Sequence, residues 1–209
     1  MNILVVAATQ LEIAPFVKAN KTQEILITGV GAPSTAYHLT KKLCSGKYDL
    51  IIQAGIAGTF NNTISLGEVA LVKKDRFADL GIIENEKLTT LFEADLAKDE
   101  YPYNGGWLIN NNTFFEELHL PSLTAITTNT VTDNADIIAR YEQKFTPGIE
   151  SMEGAAFHFI CLNENIPFLQ LRAISNIVGI RDKNMWRMND AINNLCTELQ
   201  NVIKLLDKL

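Results

Sequence analysis

Two glutamates and one asparagine of this chain stand beside apolar runs, where their side chains could do chemistry. Glu12 follows the first apolar run, Glu153 has a methionine before it and Gly-Ala-Ala after it, and Asn176 follows a late apolar run. A carboxylate can serve as a general base or balance a developing positive charge, and a carboxamide can accept and donate hydrogen bonds together. These three residues are therefore candidates for acid–base and hydrogen-bonding roles.

Each candidate also has a purely structural explanation. Glu12 falls in the first turn of a predicted helix, where a carboxylate complements the helix dipole. Glu153 could bond to the backbone at the start of the next helix, and Asn176 could be a helix N-cap. The apolar neighbours of Glu153 favour a functional role, because an acid in such a setting is rarely tolerated without a partner.

The elements that would position these residues alternate between β-type and helical patterns. Strands are predicted at 3–7, 25–28, 50–53, 69–73, 123–127 and 167–174, and helices at 10–19, 34–44, 135–142, 154–163 and 190–209. Continuously apolar strands separated by helices predict a sheet covered on both faces. We therefore predict one domain, residues 1–209, of the α/β class, with three layers (α/β/α) around a mixed twisted central sheet. The polar stretch 84–112 is predicted to form surface loops and short helices.

Three segments rich in small residues are predicted to be loops after strands, at 29–33, 54–58 and 175–179. Ligands of such sheets bind beyond the strand ends, and small residues let them approach the backbone. Ordinary turn chemistry would explain any one of these loops, but three together favour a site. The Gly-Val-Gly at 29–31 is weak evidence for NAD, because Ser34 stands where the dinucleotide motif has its third glycine or an alanine.

Composition excludes several other classes of function. The net charge of −6 argues against nucleic acid as a partner, and no run of 18 apolar residues predicts a membrane span. The first residues read as a strand instead of a signal peptide, and the odd number of cysteines, 3, fits reduced thiols, so a cytoplasmic location is expected. The 3 histidines lie far apart, so no metal is predicted, and no cofactor is implied.

Five segments resemble the family of nucleoside phosphorylases and nucleoside hydrolases that share the purine nucleoside phosphorylase fold. They are ILVVAATQLEIAPF, ITGVGAPSTAYHLTKKL, DLIIQAGIAGTFNNTISLGEVAL, IESMEGAAFHFIC and PFLQLRAISNIVGIRD, between residues 3 and 182. The N-terminal segment resembles the hydrolytic branch. The pair ESMEGAAF and RAISNIVGIRD most resembles the enzymes that hydrolyse futalosine, a purine nucleoside with a carboxyphenyl group on its 5′ side.

The resemblance implies roles for the two carboxylates. Glu12 would activate the attacking water, and Glu153 would accept hydrogen bonds from the ribose 2′- and 3′-hydroxyls, with Met152 packed against the ribose. Related nucleosidases carry an acid where Ser151 stands. Here the acid, Glu150, is one place earlier, and its role is left open.

At the purine, the resemblance places Asn176 where adenine-directed nucleosidases have an aspartate. An amide can accept from a protonated N7 and donate to a 6-oxo group, which suits hypoxanthine, whereas an ionised aspartate can only accept. Ser175 would support this contact. Gly55 and Ala57 would line the site, and Val131 lies near the position where relatives stack a phenylalanine on the base.

The resemblance further implies a cation and an aromatic face for the carboxyphenyl group. Arg181 could pair with the carboxylate and Trp186 could cover the ring. Asp182 is one possible source of the proton delivered to N7, and Arg172, on a predicted core strand, is expected to be an ion-pair partner.

Several alternatives stay open. A methylthioadenosine/S-adenosylhomocysteine nucleosidase or a purine nucleoside phosphorylase would share the fold, although the absence of arginine before Arg76 argues against a phosphate clamp. A non-catalytic nucleoside-binding protein and an NAD-dependent oxidoreductase are more distant alternatives. The family resemblance also implies a homodimer or a higher homo-oligomer.

Overall fold

The computed structural model describes residues 1–60 and 64–208. The strands in this part of the chain are β1 (Ile3–Ala7), β2 (Glu24–Ile27), β3 (Leu50–Thr59), β4 (Val69–Asp75), β5 (Gly81–Glu84), β6 (Lys87–Thr90), β7 (Tyr103–Asn104), β8 (Trp107–Ile109), β9 (Ser122–Thr127), β10 (Ile149–Ser151) and β11 (Phe168–Ile177). The helices are α1 (Gln10–Ala19), α2 (Ala32–Leu43), α3 (Phe114–Glu117), α4 (Ala135–Phe145), α5 (Gly154–Asn163) and α6 (Met188–Leu206), with a short 3₁₀ turn at Lys183–Met185. None of these helices is long and apolar enough to cross a membrane.

The main sheet is mixed and curls on itself. Parallel pairs join β2 to β1, β1 to β3, and β3 to β11, whereas β11 runs antiparallel to β4. Beyond β4 the ladder continues through β9 and β10, and β10 returns to the far half of β3. Five strands (β3, β11, β4, β9 and β10) therefore close a small barrel. Each contributes small or branched side chains to one buried cluster: Ala57, Ala70, Val72, Ala125, Ile149 and Ile174.

Helices cover both faces of the sheet. Alternate residues of β1 point to opposite sides: Val5 packs in the cluster with α1 and α6, and Val6 packs in the cluster with α2 and α5. This is the period-2 alternation of a strand between two helical layers. The predicted three-layer architecture with a mixed sheet is confirmed.

The predicted strand and helix positions are confirmed to within a few residues in the described part of the chain, with three corrections. Residue 209, where the last predicted helix ends, lies outside the described residues. The segment 54–58 is not a loop but the second half of β3, and residues 175–177 belong to β11. Both strands extend because their backbone groups are buried in the barrel and need ladder partners. The stretch 84–112 holds strands β6, β7 and β8 instead of short helices, and β8 extends the main sheet beside β4.

Candidate active site

A cavity of about 320 Å³ opens where β1, β3, β10 and β11 end or bend. Nine of the ten predicted site residues line it: Glu12, Ala57, Val131, Met152, Glu153, Ser175, Asn176, Arg181 and Trp186. Gly55 does not line it. A Cβ atom at Gly55 would lie 2.5 Å from Arg172 Nη1 and 3.2 Å from Glu12 Oε1, so the glycine lets these charged groups come together beneath the cavity.

Glu12 is fixed by a capping box at the start of α1. Its Oε2 atom accepts hydrogen bonds from the Thr9 backbone N–H at 2.9 Å and from the Thr9 hydroxyl at 2.8 Å. Its Oε1 atom accepts from the Ile56 backbone N–H at 3.2 Å. Only 7% of the residue is exposed, toward the cavity. The dipole explanation was therefore incomplete, because the carboxylate is held in one orientation by three donors.

Glu153 is held from two sides. Its Oε1 atom accepts from the Gly31 backbone N–H at 3.0 Å, and its Oε2 atom accepts from Arg172 Nη1 at 3.4 Å. It occupies the N-cap position of α5, but its side chain makes no capping hydrogen bond. The helix-capping explanation is therefore wrong, because the carboxylate is directed toward β11 and the loop before α2.

Arg172 is the buried cation of the site, with 1% of its surface exposed. Besides Glu153, its guanidinium donates to Gln53 Oε1 at 2.9 Å and to the Ile56 carbonyl at 3.3 Å. The prediction that Arg172 is an ion-pair partner is confirmed. Its charge offsets the buried carboxylate of Glu153.

Asn176 lies near the end of β11, after a register shift between Ile174 and Asn176 in the pairing with β3. Its Oδ1 atom accepts from the Ser175 hydroxyl at 2.8 Å, and its Nδ2 atom donates to the Ile177 carbonyl at 3.1 Å. These bonds assign the amide oxygen and nitrogen and leave each with capacity for a ligand. Because Asn176 is in a strand, the helix N-cap explanation is wrong.

The segment after β11 covers one side of the cavity. The Arg181 guanidinium lies 5.5 Å from the centre of the Trp186 ring, and the Trp186 indole N–H donates to the Ile180 carbonyl at 2.9 Å. Asp182 instead caps the following 3₁₀ turn by accepting from the Asn184 backbone N–H at 3.0 Å, and it does not line the cavity. The suggestion that Asp182 delivers a proton therefore loses its support.

Glu150 is the site residue to which the sequence assigned no role. It lines the cavity from β10, is 5% exposed, and its Oε2 atom has no hydrogen-bond partner within residues 1–60 and 64–208. Burial raises the pKa of Glu150 to about 7, and the nearby Thr128 and Arg181 offset this only in part. Period-2 alternation in Ile149-Glu150-Ser151 was the available signal, but a three-residue strand is too short to reveal it.

The raised pKa of Glu150 predicts that the stability of the wild type falls, relative to that of a variant without this carboxyl group, as the pH rises. Between pH 4.5 and about 7 the folded chain keeps a proton on Glu150 that the unfolded chain has lost, so rising pH destabilises the fold. Glu150→Gln removes this effect. We expect the variant to gain up to about 3 kcal/mol in unfolding free energy relative to the wild type between pH 5 and pH 8, measured by urea denaturation.

Comparing the wild type with Glu150→Gln isolates the contribution of Glu150 to the pH dependence of stability, because Asp75 and His158 titrate in both proteins. Burial raises the pKa of Asp75 to about 6 and lowers that of His158 to about 4, so their effects on stability oppose each other. A stability difference that is the same at both pH values would contradict the assignment.

Comparisons with known proteins define the class of this site. Residues 16–209 match the model of the Phosphorylase superfamily, and the chain belongs to that family. Within it, the chain is 29% identical to a futalosine hydrolase of Thermus thermophilus over 181 residues, which are 85% of this chain and 80% of that protein.

Solved structures share the fold. A methylthioadenosine/S-adenosylhomocysteine nucleosidase of Colwellia psychrerythraea, in complex with adenine, superposes with a TM-score of 0.82 at 17% identity, covering 99% of this chain and 96% of its own. The futalosine hydrolase of Helicobacter pylori gives a TM-score of 0.79 at 14% identity, covering 99% and 97%. The resemblance drawn from the five sequence segments is confirmed.

Proposed function

We propose that the chain is an N-glycosyl hydrolase that cleaves futalosine to hypoxanthine and dehypoxanthine futalosine, a reaction of menaquinone biosynthesis. The observation that carries this proposal is the Asn176 amide, which lines the same cavity as the two fixed carboxylates of Glu12 and Glu153. The similarity to curated futalosine hydrolases supports the same substrate.

Glu12 and Glu153 have different roles at the sugar: Glu12 acts on the attacking water and Glu153 on the ribose. Water attacks C1′ as the C1′–N9 bond breaks, and Glu12 takes the proton that water loses. Glu153 binds the ribose hydroxyls and stabilises the positive charge that develops on the sugar, while Met152 packs against the ribose. The departing base takes up one proton at N7 from solvent, and Glu12 afterwards releases its proton to solvent, so the sum of the reaction is the addition of water across the glycosidic bond.

The cation arrangement favours water over phosphate as the nucleophile. Among the described residues that line the cavity, Arg181 is the one with a cationic side chain. Arg172 lies beneath the cavity with its guanidinium bonded to Glu153, Gln53 and Ile56. A phosphate clamp needs free forked donors close to the sugar. We assign Arg181 and Trp186 instead to the carboxylate and ring of the 5′ substituent.

Asn176 selects the base. Its amide can accept from the protonated N7 of hypoxanthine and donate to O6, and Ser175 holds the amide oxygen. Ala57 contributes to the floor of this subsite, and Val131, 42% exposed, lies at its rim. An adenine base would present an amino group where the amide donates.

The test is base release from futalosine and from methylthioadenosine, with and without phosphate, by the wild type and by Asn176→Asp. We expect phosphate-independent release of hypoxanthine from futalosine by the wild type. In the variant, the ratio of kcat/KM for futalosine to that for methylthioadenosine should fall by about 10- to 100-fold. The reason is that the new carboxylate cannot donate a hydrogen bond to O6 of the base and repels the O6 lone pairs.

Asn163→Asp is the matched control, because Asn163 Nδ2 also donates to a backbone carbonyl, at 2.7 Å, but lies away from the cavity. That variant should keep the wild-type ratio. Phosphate-dependent turnover would make the protein a phosphorylase. Faster cleavage of methylthioadenosine by the wild type would assign it to the adenine-directed enzymes, and nucleoside binding without turnover would make it a binding protein.

The same proposal places the enzyme in the cytoplasm, as one domain over residues 1–209, and in a homodimer or higher homo-oligomer. Its three cysteines are free thiols, as a reducing compartment requires.

A further inference from the structure

Three residues of the cavity form one row across neighbouring strands. Glu150 of β10 and Asn176 of β11 both pair with Gly58 of β3, one from each side. Residues paired across strands project to the same face of a sheet. Glu150 and Asn176 therefore lie two strand spacings apart, roughly 9–10 Å between Cα atoms, with the bare glycine between them.

Gly58 leaves the space between the two polar side chains open. A Cβ atom at this position would lie 3.1 Å from Asn176 Nδ2 and 3.0 Å from Val178 Cγ2, so any side chain would crowd the amide. All three residues of the row line the cavity. A planar base over Gly58 would thus have the amide at one edge and the carboxyl group at another.

The Glu150 carboxyl group has only part of the partners that a buried acid requires, because the nearby Thr128 hydroxyl and the Arg181 charge do not offset its burial. Its Oε2 atom is buried without a hydrogen bond, and in the part of the chain that the structure describes no arginine or lysine forms a salt bridge with it. Burying such a group costs stability unless a partner satisfies it. A ligand that brings a hydrogen-bond donor would satisfy it.

We propose that Glu150 is a second base-recognition residue, whose carboxylate accepts a hydrogen bond from the N1–H group of a 6-oxopurine. This inference rests on the proposed function and specifies how its base is chosen. Hypoxanthine carries hydrogen on N1, whereas adenine has a lone pair there. A carboxylate only accepts, so Glu150 and Asn176 reject adenine at two separate atoms.

The experiment measures binding of the free bases hypoxanthine, 1-methylhypoxanthine and adenine by calorimetry at pH 8. The wild type should bind hypoxanthine at least 10-fold more tightly than either other base. In 1-methylhypoxanthine a methyl group replaces the N1 hydrogen, and in adenine N1 carries a lone pair, so neither base can donate to Glu150 from N1. This comparison needs no variant. In Glu150→Gln the preference over adenine should fall about 10-fold, because an amide can donate to adenine N1.

Glu150→Ala provides the second variant. The space it opens should accept the methyl group, so the affinities for hypoxanthine and 1-methylhypoxanthine should come within about 3-fold of each other. Glu68→Gln, an exposed acid whose carboxylate accepts from the Ser65 backbone N–H at 2.8 Å, should leave all three affinities unchanged.

Turnover of futalosine, measured in parallel, separates the two proposals. A wild type that discriminates between the bases as expected but does not cleave futalosine contradicts the proposed reaction and leaves base recognition by Glu150 standing. The inference is overturned if the wild type binds hypoxanthine no better than 1-methylhypoxanthine. It is equally overturned if both folded Glu150 variants keep the wild-type preferences.

Discussion

Replacing Glu12 with Gln lowers kcat for futalosine by about 10²- to 10⁴-fold while the protein still binds hypoxanthine. The expected size is that of losing a positioned general base. A carboxamide keeps the shape of the side chain but cannot take a proton from water. Single-turnover measurement of base release, with hypoxanthine affinity measured alongside, separates this effect from weaker binding.

Gln is the substitution of choice because it preserves the start of α1. Either Glu or Gln can complete a capping box with Thr9, so α1 should remain intact. In the variant, an NH₂ group replaces the oxygen that accepts from the Ile56 N–H, so two donors face each other. The loss of this hydrogen bond should cost about 1 kcal/mol of unfolding free energy.

The chain contains a matched control for this variant. Thr90 and Glu93 form the same pattern: Glu93 Oε2 accepts from the Thr90 backbone N–H at 2.8 Å and from the Thr90 hydroxyl at 3.0 Å. Glu93 does not line the cavity. Glu93→Gln should therefore leave kcat unchanged. If Glu12→Gln kept more than a tenth of wild-type kcat, Glu12 would not be the base.

The sequence predicted the elements that have strong local periodicity. The strand at Ile3–Ala7 and the helix at Gly154–Asn163 have their predicted bounds, because a buried strand and a buried helix both show in neighbouring residues. β10 was missed, since three residues carry little pattern and its position depends on pairing with β3 and β9.

The site was predictable residue by residue but not as an arrangement. Residue types and the family resemblance identified Glu12, Glu153 and Asn176, and the cavity brings them together. The row that joins Glu150 to Asn176 through Gly58 depends on the registers of two strand pairs, which are non-local. The sequence predicted that Gly55 lines the site, and this was wrong. A glycine in the sequence shows only that something approaches the backbone closely, and here it is the Arg172 guanidinium instead of a ligand.

The charge of Arg172 is the other feature on which the site depends. Arg172→Met should lower the unfolding free energy by about 3–5 kcal/mol, because Glu153 and Gln53 would lose their buried partner. Turnover in the fraction that stays folded should also fall, since Arg172 would no longer hold Glu153 for the ribose contact proposed for it. Urea denaturation measures the first effect and kcat under folding conditions the second.

Two further variants decide whether Arg172→Met loses stability because it leaves the Glu153 carboxylate buried without a partner. Arg187 and Asp190 form an exposed pair at 3.3 Å, so Arg187→Met should change stability by less than about 1 kcal/mol. The double variant Arg172→Met with Glu153→Gln should be more stable than Arg172→Met alone, because it no longer buries an unpaired carboxylate. If the double variant were instead the less stable of the two, packing around the long arginine side chain would outweigh its charge, and the ion pair would not be what holds Glu153 in place.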